Sequence, residues 1–343
     1  MTIKKHINPV FYIFLIFSFF TTGSAQTEIG GFFDIINSTD LEAGQNTGFT
    51  VNQFEIAISQ SYDNPISIDA AIGYNKDDGK MELADAVIHY TSKLGSEHFI
   101  SGTDTIHAHA GVSIGQTDVP FGIDYLSFDA PVRPVVTQPL IYQKTVGEWS
   151  GTGINIHTMQ KHYNFDLYTT NGFNGDLAFG AHSGFTFIDN LEFGFSYAAE
   201  FRTIDTKSNW ITGVDIAATL GSLDVKSEYL WARNLLDAAQ DTLFSDKIYQ
   251  GFYVQLSNDF ENLIKFPVFA TARFGYWESE MDRDFSEDKD TQNRITLGLG
   301  YRTDYDAEIR IEYLSEQIED NSRYNVLTLQ LVTWLDMKSH IIR

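Results

Sequence analysis

The chain lacks cysteine altogether and is poor in positive charge, and both shortages exclude whole classes of function. Without cysteine there is no disulfide scaffold, thiolate zinc site, cysteine nucleophile or lipidated N-terminal cysteine. Lys and Arg number 23 against 46 for Asp and Glu in 343 residues, a formal net charge of −23. A protein that coats nucleic-acid phosphates needs clustered Lys and Arg, so we expect no nucleic-acid partner.

Long apolar runs are missing beyond the N-terminal segment. There, Lys4 and Lys5 precede an apolar stretch of about a dozen residues, 9–20, and a run of small residues ends at Ala25. This pattern predicts a signal peptide over residues 1–25 and one domain over residues 26–343. An uncleaved anchor is the alternative, although a spanning helix needs about 20 apolar residues. The remaining chain is then either secreted and soluble or crosses an outer membrane as a β-barrel.

What the chain does contain is repeated alternation of period two. Over residues 191–202, Phe193, Phe195 and Tyr197 fall on one face of a strand, and Glu192 and Glu200 fall on the other. Such segments approach the 9–11 residues of a membrane-crossing strand, whereas the strands of a soluble sandwich are shorter, at about 5–6 residues. We count about sixteen segments. The prediction is therefore an all-β fold, a transmembrane antiparallel β-barrel of about sixteen strands.

Each predicted strand has a central residue. The sixteen centres are Gly31, Ile56, Ala70, Ala86, Gly111, Ile154, Phe165, Ala181, Phe195, Val214, Val225, Phe252, Ala270, Leu297, Ile309 and Leu329. The tail at 335–343 follows Trp334 and leaves the end of the last strand open. Trp210, Trp231, Trp277 and Trp334 fall near strand ends and are expected to form interfacial girdles.

The third long connection, residues 116–151, differs in composition from the others. It contains Pro120, Pro131, Pro134 and Pro139, four of the seven prolines, and proline cannot donate to a sheet ladder. Its aromatic and aliphatic side chains nevertheless favour burial. Because this connection joins the fifth and sixth strands of a predicted barrel, we expect it to fold into the lumen.

One part of this loop resembles a known group. Residues 115–125, GQTDVPFGIDY, are similar to the G-x-x-x-x-P-F-G segment of Gram-negative porins related to the phosphate-selective porins. Residues 131–140 and 147–153 resemble the rest of that group's loop. The resemblance implies a loop that narrows a pore, and a homotrimer is implied only in this way. The loop has few bases, Arg133 and Lys144, so phosphate selectivity is not implied.

The polar strand faces predict the lining of the lumen. Acids outnumber bases there by about two to one, and rings of Asp and Glu favour cations, so we expect a weak cation preference. The alternative is that these charges only solvate the lumen. The candidate constriction residues are Asp118, Asp124, Asp129 and Arg133, and the candidate wall residues are Glu192, Glu200, Arg202, Arg294, Glu308 and Arg310.

The remaining chemical candidates are few. His89, His107 and His109 could meet on the interior face as metal ligands, but a spacing of two on one strand is weakly specific, and polar lining is favoured. We see no candidate catalytic triad, and we expect no cofactor, no metal and no enzymatic activity.

The sequence therefore predicts an outer-membrane porin, a water-filled diffusion channel for small polar solutes or ions that contacts outer-membrane lipids. One alternative is a non-conducting barrel that anchors or assists a surface complex. The other is a secreted β-rich binding protein.

Overall fold

The structure is a computed structural model of the chain. It describes residues 25–62, 65–76, 79–93, 98–100, 104–106, 108–127, 129–172, 176–188, 190–201, 209–233, 247–281, 289–318 and 322–341. The predicted signal peptide lies outside these residues except for Ala25. Among the described residues, no helix has the length and apolarity required to cross a membrane.

Strands account for most of the described chain. They are β1 (Ala25–Asp40), β2 (Asn46–Tyr62), β3 (Ile66–Asn75), β4 (Lys80–Lys93), β5 (His98–Ile100), β6 (Asp104–Ile106), β7 (His109–Asp118), β8 (Ser150–Gln160), β9 (Tyr163–Asn171), β10 (Leu177–Ile188), β11 (Leu191–Phe201), β12 (Asn209–Leu220), β13 (Leu223–Arg233), β14 (Lys247–Asp259), β15 (Val268–Met281), β16 (Lys289–Arg302), β17 (Ala307–Ile318) and β18 (Arg323–Ile341). Two short helices, α1 (Leu140–Lys144) and α2 (Glu261–Ile264), and a 3-10 turn (Tyr125–Ser127) lie between them.

Sixteen of these strands close into one antiparallel barrel. β1 pairs with β2 on one side and with β18 on the other, so the sheet has no free edge. β4 pairs directly with β7, and β5 and β6 form a separate small hairpin in the connection between them. All sixteen predicted centres lie within barrel strands, so the predicted fold is confirmed.

The barrel is inverted in polarity relative to a soluble protein. On β11, Phe195 is 49% exposed on the outer surface, while its neighbour Ser196 is fully buried in the interior. Glu200 and Ala198 share the buried face with Ser196, and Phe193 and Tyr197 share the exposed one. A broad apolar outer surface of this kind suits a hydrocarbon solvent, because in water it would cost about 25 cal/mol per Å².

One detail of the predicted barrel changes. Trp277 is not a girdle residue, since its side chain is buried and Lys144 of α1 lies 5.4 Å from its ring centroid. The structure also gives the end of the last strand, which the sequence left open. β18 continues past Trp334 to Ile341, because β1 supplies pairing partners as far as Ala25.

The two ends of the barrel differ. At one end the described connections are short, such as Lys161–His162, Gly221–Ser222 and 303–306. We call this the short-turn end. The connection between β7 and β8 starts from the opposite end and is the long proline-rich segment, which we call the inner loop (residues 119–149).

Candidate functional site

The inner loop lies inside the barrel, as predicted. Its residues Val119, Phe121, Leu140, Ile141 and Tyr142 are all almost completely buried. They form one apolar cluster with residues of the barrel wall, namely Tyr168, Ala178, Ala198, Ile211, Leu230, Ala232, Tyr249, Tyr253 and Trp277. Burial of this cluster explains why a loop rich in aromatic residues is stable in a polar lumen.

Glycines on the inner face of the wall make room for the loop. An added Cβ at Gly251 of β14 would lie 2.6 Å from Ile141, and one at Gly298 of β16 would lie 2.6 Å from Val135. These two glycines thus mark where the loop touches the wall.

Gly122 of the Pro-Phe-Gly segment is required for a different reason. Its backbone has a φ of +74°, which L side chains rarely adopt, and an added Cβ would collide with Tyr142 and Glu228. Its amide donates to Ser196 Oγ of β11 at 2.9 Å. The motif therefore brings backbone directly against the wall.

A buried polar network attaches the loop to β13 and β14. Tyr253 of β14 donates its hydroxyl hydrogen to Asp124 Oδ2 at 2.6 Å, and Tyr142 donates to Glu228 Oε2 of β13 at 2.8 Å. Lys226 Nζ lies 3.5 Å from Asp124 Oδ1. Burial raises the pKa of Tyr142 well above its ordinary value, so this hydroxyl remains a donor.

Three arginines of β15, β16 and β17 also attach the loop. Arg273 of β15 donates to the carbonyl oxygens of Thr137 and Gln138 at 2.7 and 3.0 Å. To the loop, Arg294 donates from Nη1 to Gln143 Oε1 at 2.6 Å, and Arg310 donates from Nη1 to the Ala130 carbonyl oxygen at 2.6 Å. Within the wall, Arg294 donates from Nε to Glu316 Oε2 at 2.7 Å, and Arg310 donates from Nε to Glu308 Oε2 at 2.8 Å. These guanidinium groups satisfy loop carbonyls that would otherwise be buried without donors.

The opposite side of the loop faces acidic groups. Asp129 and Glu148 of the loop interact electrostatically with Asp118 at the end of β7, and Asp129 also interacts with Glu55 of β2. Asp85 of β4 acts on the same group of carboxylates. We call these five residues the acidic face. Asp118, Asp129 and Glu148 are exposed, and the other two are half-buried.

Arg133 borders the acidic face. Its Nη2 donates to Gln53 Oε1 of β2 at 3.0 Å, and its Nη1 lies 4.0 Å from Glu148 Oε1. Glu148 also accepts from Gln53 and Asn75, each at 3.2 Å. Partial desolvation raises the pKa of Asp129 and of Glu148, and the nearby Arg133 opposes that rise.

Towards the short-turn end, the loop and the wall line an open pocket of about 300 Å³. Pro131 to Pro134 of the loop form one side, and residues of β12 to β17 form the other. The pocket carries both signs of charge, from Lys226, Arg302 and Arg310 and from Asp224, Asp259 and Glu308. Arg302 bonds to Asp259 and to Glu308, so much of this charge is locally compensated.

The structure separates the predicted constriction residues into two pairs. Asp118 and Asp129 are exposed within the acidic face, whereas Asp124 and Arg133 are buried in contacts that hold the loop. Of the predicted wall residues, Arg294, Glu308 and Arg310 belong to the arginine contacts. Glu192 accepts from Asn164 at 3.1 Å and Glu200 accepts from Asn209 at 2.8 Å, both away from the acidic face. Arg202 lies outside the described residues.

The sequence prediction missed Glu148 and the two tyrosines of the network. Glu148 falls within the 147–153 segment already noted for its resemblance, so a signal existed for it. The sequence contains no comparable signal for Tyr253, because alternation alone does not show which inward-facing residue contacts a loop.

The histidines do not gather around one point. His89 Nε2 lies 3.1 Å from Asp69 Oδ2, and its Nδ1 is within hydrogen-bond distance of Ser113 Oγ, at 2.7 Å. The ring of His109 instead packs edge to face on that of His157, with centroids 5.9 Å apart. In the part of the chain that the structure describes, no group of three or more His, Cys, Asp or Glu residues is arranged to hold a metal ion. His107 lies outside that part.

Solved structures share this architecture over most of the chain. OmpT of Vibrio cholerae, in a trimer form, matches with a TM-score of 0.64, covering 91% of this chain and 100% of that one at 10% identity. The fold is that of the outer-membrane porins. An anion-selective porin from Comamonas acidovorans matches at 0.63, with 7% identity over 91% of this chain and 100% of that one.

A third porin-like structure, the outer-membrane channel DcaP of Acinetobacter baumannii, has a TM-score of 0.57 at 10% identity, covering 91% and 96% of the two chains. No protein-family model and no curated protein matches the sequence. At such low identities the likeness shows the porin fold alone.

Proposed function

We propose that this protein is a porin of the Gram-negative outer membrane, a non-enzymatic, water-filled channel for small polar solutes or ions. The observation that carries the proposal is the asymmetric inner loop. Buried side chains of β11 to β17 hold it, whereas towards β2 and β3 its hydrogen bonds involve Arg133 and Glu148, beside exposed carboxylates. In this proposal residues 1–25 are removed as a signal peptide, and residues 26–343 form the barrel.

The passage runs past the acidic face, and the loop makes it the narrowest part of the lumen. Three of its five carboxylates are exposed, whereas Arg273, Arg294 and Arg310 are buried against the loop. Local negative charge concentrates cations and repels anions. We therefore propose a weak cation preference, unlike that of the Comamonas porin, whose name describes it as anion-selective.

Single-channel recording tests this proposal. Protein reconstituted in a planar bilayer should show discrete conductance steps, and the reversal potential in a KCl gradient should have the sign of potassium preference. An anion preference would contradict the role of the acidic face. The absence of steps from correctly folded, heat-modifiable barrels would favour the alternative, a non-conducting barrel that serves a surface complex.

Two finer features complete the proposal. A homotrimer is supported by the porin fold and by the trimer form of OmpT, and light scattering of the detergent-solubilised protein tests it. An evolutionary relationship to the phosphate-selective porin group is proposed from the loop segment at 115–125. The loop contributes Arg133 to the site, and that arginine is bonded to Gln53, so phosphate selectivity is not part of the proposal.

A further inference from the structure

The turn between β14 and β15 is chemically unlike the other described turns at the short-turn end. Residues 260–267 read FENLIKFP, whereas other described turns at this end are Lys161–His162, Gly221–Ser222 and residues 303–306, TDYD. Tight turns favour Gly, Asn, Asp and Ser, and this one instead contains the short helix α2 and several large apolar residues. A polar turn would suffice to connect the two strands, so turn formation alone does not account for the apolar residues.

These apolar side chains lie on the surface. Leu263 is 76% exposed, Ile264 is 55% exposed and Phe266 is 51% exposed. Apolar surface left in water costs about 25 cal/mol per Å². A cluster of three such side chains within four residues therefore favours contact with an apolar environment.

The turn faces outward, away from the lumen. The ring of Phe266 stacks on that of Tyr301, with centroids 5.2 Å apart and planes inclined by 29°. Tyr301 lies on β16 in the same alternating register as Leu297 and Leu299, which are exposed on the outer surface of the barrel. The apolar patch on the turn is thus continuous with the apolar outer surface.

Charged groups flank the patch. Glu261 begins α2, and Lys265 follows its last residue in a left-handed conformation with a φ of 57°. Both side chains are exposed. An arrangement in which apolar side chains lie beside a lysine resembles that of segments that rest in a membrane interface, where the ammonium group reaches the phosphate level.

We propose that Leu263, Ile264 and Phe266 insert into the interfacial region of the phospholipid leaflet at the short-turn end, which in an outer membrane is the periplasmic leaflet. This inference rests on the proposed membrane location. The partner is phospholipid because the patch continues the outer apolar surface through Phe266 and Tyr301. The turn thereby extends the membrane-embedded surface beyond the ends of β14 and β15.

The absence of cysteine permits a direct test by site-directed spin labelling. Leu263→Cys is labelled with a nitroxide in phospholipid vesicles, and its relaxation by oxygen, which concentrates in lipid, is compared with that by a water-soluble nickel chelate. Ser222→Cys in an exposed polar turn at the same end is the aqueous control, and Leu299→Cys on the outer surface is the lipid control. Labels at these exposed positions perturb the fold little.

We expect the label at position 263 to respond more strongly to oxygen than to the nickel chelate, as the label at 299 does, and the label at 222 to show the reverse. A label at 263 that behaves like that at 222, while 299 reports lipid, would overturn this inference alone. A label at 299 that reports water would overturn the membrane location itself. None of these readouts depends on whether the channel conducts.

Discussion

The wall formed by β13 to β17 and the wall formed by β2 to β4 and β7 share one strand pattern but meet the inner loop differently. On the first wall, Arg273, Arg294, Arg310 and Glu228 are buried and bonded to the loop. On the second, Gln53 and Asn75 bond to Arg133 and Glu148 of the loop, Glu55 and Asp85 are half-buried, and Asp118 is exposed.

The difference shows how one sequence pattern supports two uses. A buried charge must be paired or hydrogen-bonded, so the first wall is complementary to loop carbonyls and hydroxyls. A charge that keeps its water needs no such partner and can act on a passing ion. The arginines are thus structural, and the exposed carboxylates are the functional candidates.

The largest expected effect comes from Gly122→Val, which abolishes the attachment of the loop. The new side chain would collide with Tyr142 and Glu228 and would carry backbone strain of about 1–3 kcal/mol. We expect limited proteolysis to cut the inner loop while the barrel stays heat-modifiable. Gly221→Val is the control, since it also changes a glycine with positive φ but meets open space. Equal protection of the loop in both variants would show that the close approach at Gly122 is unimportant.

Tyr142→Phe should weaken the same attachment more mildly. It removes the donor to the buried Glu228, and an unsatisfied buried polar group costs about 1–3 kcal/mol. The measurement is the proteolysis rate of the loop at graded urea concentrations. Tyr305→Phe, at an exposed turn position, supplies the matched control. If the two variants are indistinguishable, the hydrogen bond does not hold the loop.

Neutralising the acidic face should change selectivity and leave the fold intact. Asp118→Asn combined with Asp129→Asn removes two exposed carboxylates, so the reversal potential should move toward zero with little change in heat stability. Asp304→Asn, in an exposed turn at the short-turn end, is the control. A cation preference unchanged by the double variant would place the selective charges elsewhere.

Acidification should reproduce that change gradually. Because the pKa values of Asp129 and Glu148 are raised, these groups bind protons at higher pH than ordinary carboxyls, whose pKa is about 4. Cation preference should therefore fall as the pH is lowered from neutrality, beginning above that ordinary range. The reversal potential measured at successive pH values is the readout. The double Asn variant should show a smaller pH response, and a response of equal size would exclude Asp129 as a titrating group.

The smallest effect is that of salt. The Debye length falls from about 10 Å at 0.1 M to about 3 Å at 1 M, which screens the exposed acidic face but not charges buried against the loop. Permeability ratios should approach unity at high salt, while the proteolytic protection of the loop stays the same. Loss of protection at high salt would show that the loop attachment is itself screened, contrary to its burial.

The sequence by itself determined the barrel and the inward position of the loop. Alternation of period two locates each strand because successive side chains point to opposite faces, and a closed barrel satisfies the backbone that such strands leave unpaired. The prolines exclude residues 119–149 from the wall, and their aromatic neighbours require burial. These are local properties, which can be read from residues close together in the chain.

Only the tertiary structure decided which charges are held and which are free. Asp124 and Asp129 are five residues apart in one acidic loop, yet Asp124 is bonded to Tyr253 and Asp129 is exposed beside Asp118. That outcome depends on which strand each carboxylate meets across the lumen. Contacts between residues more than a hundred positions apart determine how far each carboxylate is desolvated, and the local sequence does not predict those contacts.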